Sequence, residues 1–122
     1  MKDIMDTLTY KGKEYKLIFN LNVLESIQDE YGTLTKWIEK AYGKNTGEPS
    51  AKALAFCIAA MVNEGIDIEN EESDTHKDPI TAKQANRMLS EFMKEHGVEK
   101  VVEKIDKLMG DSLQGSESSK NE

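Results

Sequence analysis

Ala53-Leu54-Ala55-Phe56-Cys57-Ile58-Ala59-Ala60-Met61-Val62 decides the fold. The run is about half the length a membrane span needs. It is apolar on nearly every side at the helical period, and a helix apolar all round is buried all round. It therefore predicts the central helix of a core. Pro49 fits the first turn of that helix, where a missing N–H costs nothing. Gly65 predicts its end, after Asn63 or Glu64.

Working back toward the N-terminus, Thr33 caps a helix whose apolar positions are Leu34, Trp37, Ile38, Ala41 and Tyr42, spaced at i, i+3, i+4, i+7 and i+8. Lys36 stands where a capping box would place Glu. Before it, Asn20 and Asn22 are candidate caps for a helix over Leu21 to Tyr31, with Leu24, Ile27 and Tyr31 on one stripe and Gly32 as the stop. Thr7 to Phe19 alternates on either side of Gly12, which predicts a β-hairpin. A lone hairpin is marginal in water, so its apolar face must lie on helices.

Working forward, Ile66 to Asp78 predicts an acidic loop. A fourth helix follows from near Pro79-Ile80-Thr81 to His96, with Ala85, Met88, Leu89, Phe92 and Met93 on one face and Gly97 as the stop. A fifth runs from Val98 to Met109 and ends at Gly110. The rest, from Asp111 to Glu122, is polar and Ser-rich and predicts a disordered tail. The expected fold class is α+β, mainly α: an N-terminal β-hairpin packed on about five helices. One globular domain is expected over 1–110, with the polar tail over 111–122.

The formal charge of −7 is uneven. Residues 64–78 carry a net −6, the segment 111–122 carries −2, and the remainder sums to +1. A near-neutral body with one acidic segment lacks the clustered Lys and Arg that phosphate backbones require, so no nucleic-acid partner is expected. The lone Cys57 rules out an intramolecular disulfide and suits a reducing compartment. Met1-Lys2-Asp3-Ile4-Met5-Asp6 has no apolar core run, so no signal peptide and no membrane partner are expected. Host-cell cytoplasm is the expected location.

No catalytic residue, metal ligand or cofactor is expected. Asp67, Glu69 and Glu71 alternate like calcium ligands, but Glu72 stands where an EF-hand loop needs Gly for its sharp turn. The ordinary role of these carboxylates is solvation. His76 and His96 have no Cys or second His at ligand spacing, and His96 suits the C-terminal dipole of its helix. Nucleophile–base motifs and Gly-rich phosphate loops are absent, so the chain is expected to be no enzyme and to act by binding other proteins.

The stretch Tyr15-Lys16-Leu17-Ile18-Phe19-Asn20-Leu21-Asn22-Val23-Leu24-Glu25-Ser26-Ile27-Gln28-Asp29-Glu30-Tyr31-Gly32 resembles the start of the tail assembly chaperones of long-tailed phages, prophages and gene-transfer agents. Those proteins have a strand ending in Phe, a short Asn-containing step, and a helix with an acidic-aromatic-Gly end. The Ala-rich helix ending in Asn63-Glu64-Gly65, the acidic segment and the Ile80-Thr81 helix opening are similar too. The resemblance covers roughly residues 7–96; the fifth helix and the Ser-rich tail lie outside it. It implies a mainly helical, non-enzymatic protein that coats the tape-measure protein before tail-tube subunits polymerise, with the tube protein as a second candidate partner and homo-oligomers open. It carries no residue-level binding motif. The alternatives are a small tail or connector subunit retained in the virion and, more remotely, a small bacterial regulatory or toxin–antitoxin-type protein.

A tape-measure protein exposes long apolar helical stripes, and covering them takes an apolar groove or helix face. Val98, Val101, Val102, Ile105, Leu108 and Met109 form such a stripe on the fifth helix, with no later element to bury it. They are the candidate partner-binding residues. The competing reading packs the same stripe on the domain's own core.

Overall fold

The computed structural model describes residues 5–114. Lys11 and Gly12 both take positive φ, 51° and 77°, the signature of a two-residue turn whose twist matches that of its strands. The turn joins β1 (Met5–Tyr10) to β2 (Lys13–Ile18) as an antiparallel pair, with Leu8 opposite Tyr15 and Asp6 opposite Leu17. Cross-strand partners share a face, so Leu8 and Leu17 enter the core together.

Among the described residues five helices follow, giving the expected α+β, mainly α architecture: α1 (Leu21–Tyr31), α2 (Leu34–Tyr42), α3 (Ala51–Ser73), α4 (Ala82–His96) and α5 (Val98–Gln114). Asn20, Thr33, Ser50 and Thr81 cap the first four, each side-chain oxygen accepting from a backbone N–H in the first turn. Thr81 and Gln84 complete a capping box, whereas Lys36 leaves α2 without one. Gly43 ends α2 at φ 73°; a Cβ there would lie 2.3 Å from the Glu48 backbone, so only glycine lets the chain fold back so tightly.

α3 is the central helix. Ala53, Leu54, Ala55, Cys57, Ile58, Met61 and Val62 are all buried on it. β2 lies along α3, and α1, α2 and α4 surround it. Trp37 is fully buried, and its indole N–H donates to the Ala53 carbonyl at 2.9 Å, which pins α2 to the start of α3.

Four expectations need correction. Pro49 precedes the Ser50 cap and is not in the first turn of α3. Gly65 does not end α3, which runs on to Ser73 and stops at Asp74 in the left-handed conformation, φ 59°. Most of the expected acidic loop is therefore helix. A mid-helix glycine costs about 1 kcal/mol relative to Ala. Here it buys a close approach: a Cβ on Gly65 would sit 3.2 Å from the Lys16 carbonyl oxygen. Lastly, α5 continues through Gly110 to Gln114, so residues 111–114 are helical; the remainder of the expected tail lies outside the described residues.

Candidate functional site

The short polar motifs of the sequence meet in one place. Phe19 is buried at the end of β2, and Asn20 turns the chain into α1 by accepting from the Asn22 and Val23 amides. The side-chain amides of Asn20 and Asn22 both donate to Glu64 Oε2, at 2.7 and 3.1 Å. Next to Glu64, Asn63 treats Ile80 as a strand neighbour would: it donates to the Ile80 carbonyl at 3.2 Å and accepts from the Ile80 amide at 2.8 Å. Two helical turns on, Asn70 does the same to Lys77, at 3.0 and 2.9 Å. The two asparagines clamp residues 77–80 along the outer half of α3 and deliver Thr81 to its capping position.

This lock flanks a cleft of about 600 Å³ between β2, α3 and the clamped segment. Tyr15, Val62, Ile66 and Ile80 give it an apolar floor, and Lys16, Glu69 and Lys77 stand at its rim. Glu69 lies 2.8 Å from Lys77 Nζ and 3.8 Å from Lys16 Nζ. The hydrogen bond from Lys77 and its charge hold the Glu69 carboxyl below the usual range, with a smaller contribution from Lys16. A second, shallower cleft of about 480 Å³ lies between α1 and α3 over Phe56, Ala59 and Ala60.

The free apolar face expected on α5 is not there. Val101, Ile105, Leu108 and Met109 are buried in the core, Val102 is half-buried, and Val98 alone is exposed, at 37%. The earlier elements supply the dock that the sequence left unseen. Lys104 reaches Asp6 of β1 at 2.9 Å and lies over the Phe92 ring of α4, and Asp106 accepts from the Tyr42 hydroxyl at 3.2 Å. Burial, followed by the Asp106 charge, raises the Tyr42 pKa.

Among the described residues no cluster of three or more His, Cys, Asp or Glu is placed to hold a metal ion. His76 is exposed and 3.8 Å from Asp78; the His96 ring stacks obliquely against Phe92 at 4.6 Å. Cys57 is fully buried, and burial pushes its thiol up to about 12, which keeps it protonated and unreactive at neutral pH. No helix among the described residues is long and apolar enough to cross a membrane.

The polar lock was missed at the sequence level, although the spacing of Asn63 and Asn70, two turns apart on one helix face, was available as a signal. The premature stop at Gly65 hid it. Compared with family models, curated proteins and solved structures, the chain matches none.

Proposed function

We propose that this chain is a tail assembly chaperone of a long-tailed phage or prophage, working without chemistry in the host cytoplasm and binding its tape-measure protein. One observation carries the reading. Among the residues by which the chain resembles that family, Phe19-Asn20, Asn22, Asn63-Glu64-Gly65 and Ile80-Thr81 converge on one interlocked region, while the Tyr31-Gly32 helix end lies at the far end of α1, with Tyr31 against Phe56. Motifs scattered through the chain by chance have no reason to meet; motifs that specify a common fold do.

With the α5 stripe buried, the cleft beside the lock is the surface we assign to the partner. Its apolar floor and mixed-charge rim suit side chains from one stripe of an amphipathic helix. Co-expression with helical segments of the cognate tape-measure protein tests this: the chain keeps them soluble, and Ile66→Asp, at a half-buried floor position, abolishes the effect while the domain still folds. Mass spectrometry of purified particles completes the test. A chaperone is absent from them. Presence in the particle, with no binding to any tape-measure segment, replaces this reading with that of a retained structural subunit.

A further inference from the structure

α4 and α5 are separated by one residue. The Gly97 amide donates to the Met93 carbonyl at 2.8 Å, a normal helical bond, and the Gly97 carbonyl accepts from Lys100 at 3.2 Å, the opening of the next helix. The chain is thus helical up to Gly97 and immediately after it. The break consists of that residue's dihedral angles alone, φ 88° and ψ 156°. This region is open essentially to glycine only. A Cβ built on Gly97 meets nothing within 4 Å, so what excludes other residues is backbone strain and not crowding.

The consequence of straightening Gly97 is geometric. Residues 82–114 would form one helix about 50 Å long. At roughly 100° per residue, the α4 stripe of Ala85, Met88 and Leu89 would lie nearly opposite the α5 stripe of Val101, Ile105 and Leu108. One half would remain on its own body. The other would project an apolar face away from it and leave behind an empty dock of matching shape, with Asp6 and Tyr42 unpartnered at its edges. A second copy in the same state offers that dock and needs that helix.

We propose that Gly97 is a swap hinge: the chain has a closed form, with α5 on its own body, and an open form in which two copies exchange α5 through continuous α4–α5 helices. The partner is a second copy of this chain, because every apolar and polar contact that holds α5 is then remade between chains. Glycine keeps the closed form favoured, since it alone takes the turn without strain and its own α5 is always at hand. The inference stands independently of the chaperone reading.

Gly97→Ala tests it by straining the turn and favouring the helix with a single methyl group. Light scattering on a sizing column, across a dilution series, is expected to move the species from 13.7 kDa to twice that mass. In an equal mixture of isotope-labelled and unlabelled G97A chains, unfolded and refolded together, carbodiimide is expected to join Asp6 to Lys104 across heavy–light pairs; in the wild type it joins them within one chain. Inserting three flexible residues after position 97 of the G97A chain lets α5 fold back and restores the monomer. A G97A chain that remains monomeric, or that unfolds or aggregates without forming the dimer, overturns the proposal. So does a dimer whose Asp6–Lys104 links all lie within one chain, or one that persists after the insertion.

Discussion

The body and the last helix are held in different ways. In the body, the Asn20–Asn22–Glu64 contacts and the Asn63 and Asn70 clamps add to the buried core a set of directional hydrogen bonds that join β2 and α1 to α3 and hold residues 77–80 against it. α5 is held by a buried stripe and two polar ties near the surface, Lys104 to Asp6 and Tyr42 to Asp106. The one buried side-chain polar atom without a partner among the described residues, Ser112 Oγ, also lies on α5. Apolar burial supplies more free energy than such polar contacts, but it is not directional. A stripe on another helix can replace it, whereas the clamps accept one geometry. The body is therefore the specified part of the molecule and α5 the exchangeable part.

The largest effect that would break this comparison is a charge under α5. Ile105 has no exposed surface, so Ile105→Asp is expected to cost roughly 3–5 kcal/mol if the helix remains docked. Chemical denaturation measures the loss. Hydrogen exchange on the same variant is expected to find α5 released while α3 stays protected. Collapse of protection throughout would mean that α5 is as integral as the body.

A smaller effect is expected at Gly65. Gly65→Val puts a branched side chain where even a Cβ lies 3.2 Å from the Lys16 carbonyl, pushing β2 off α3 at a cost of about 1–3 kcal/mol. The thermal midpoint reads it. An unchanged midpoint would show that the close approach specifies nothing. Asn63→Ala should cost about 1–2 kcal/mol by removing both bonds to Ile80. Its signature is local: faster exchange at the Ile80 amide and fraying at the start of α4, with α5 unaffected.

The smallest effect concerns acid. The Glu69 carboxyl has a lowered pKa in the folded state, so its contribution to stability is present above its unfolded value and is lost as pH falls through the folded one. The group is at the surface, so the slope it adds is slight and weakens with salt. Glu69→Gln should flatten the acid side of the stability–pH curve by that small amount and leave the neutral plateau nearly unchanged.

The comparison also explains what the sequence made legible. The hairpin, the caps at Asn20 and Thr33, and the stops at Gly32 and Gly97 were readable because each is a local choice among backbone conformations. Gly65 and Gly110 were misread because a glycine inside a helix and one at its end look alike locally. At Gly65 the deciding contact, with Lys16, comes from a distant strand. The α5 stripe was correctly seen as apolar, but its dock is made by β1, α2 and α4 together, and no local pattern reports that. The Asn clamps were hidden for the same reason: their partners, Lys77 and Ile80, lie across a turn that the shortened α3 did not reach.

The most direct test of the division between body and α5 is native-state hydrogen exchange on the wild-type chain at increasing low concentrations of denaturant. The account predicts that amides of residues 101–109 exchange through an opening well below the free energy of global unfolding, while those of β2 and of α3 between Leu54 and Val62 exchange only with the whole molecule. Equal protection in α5 and α3, with the same denaturant dependence, would contradict it.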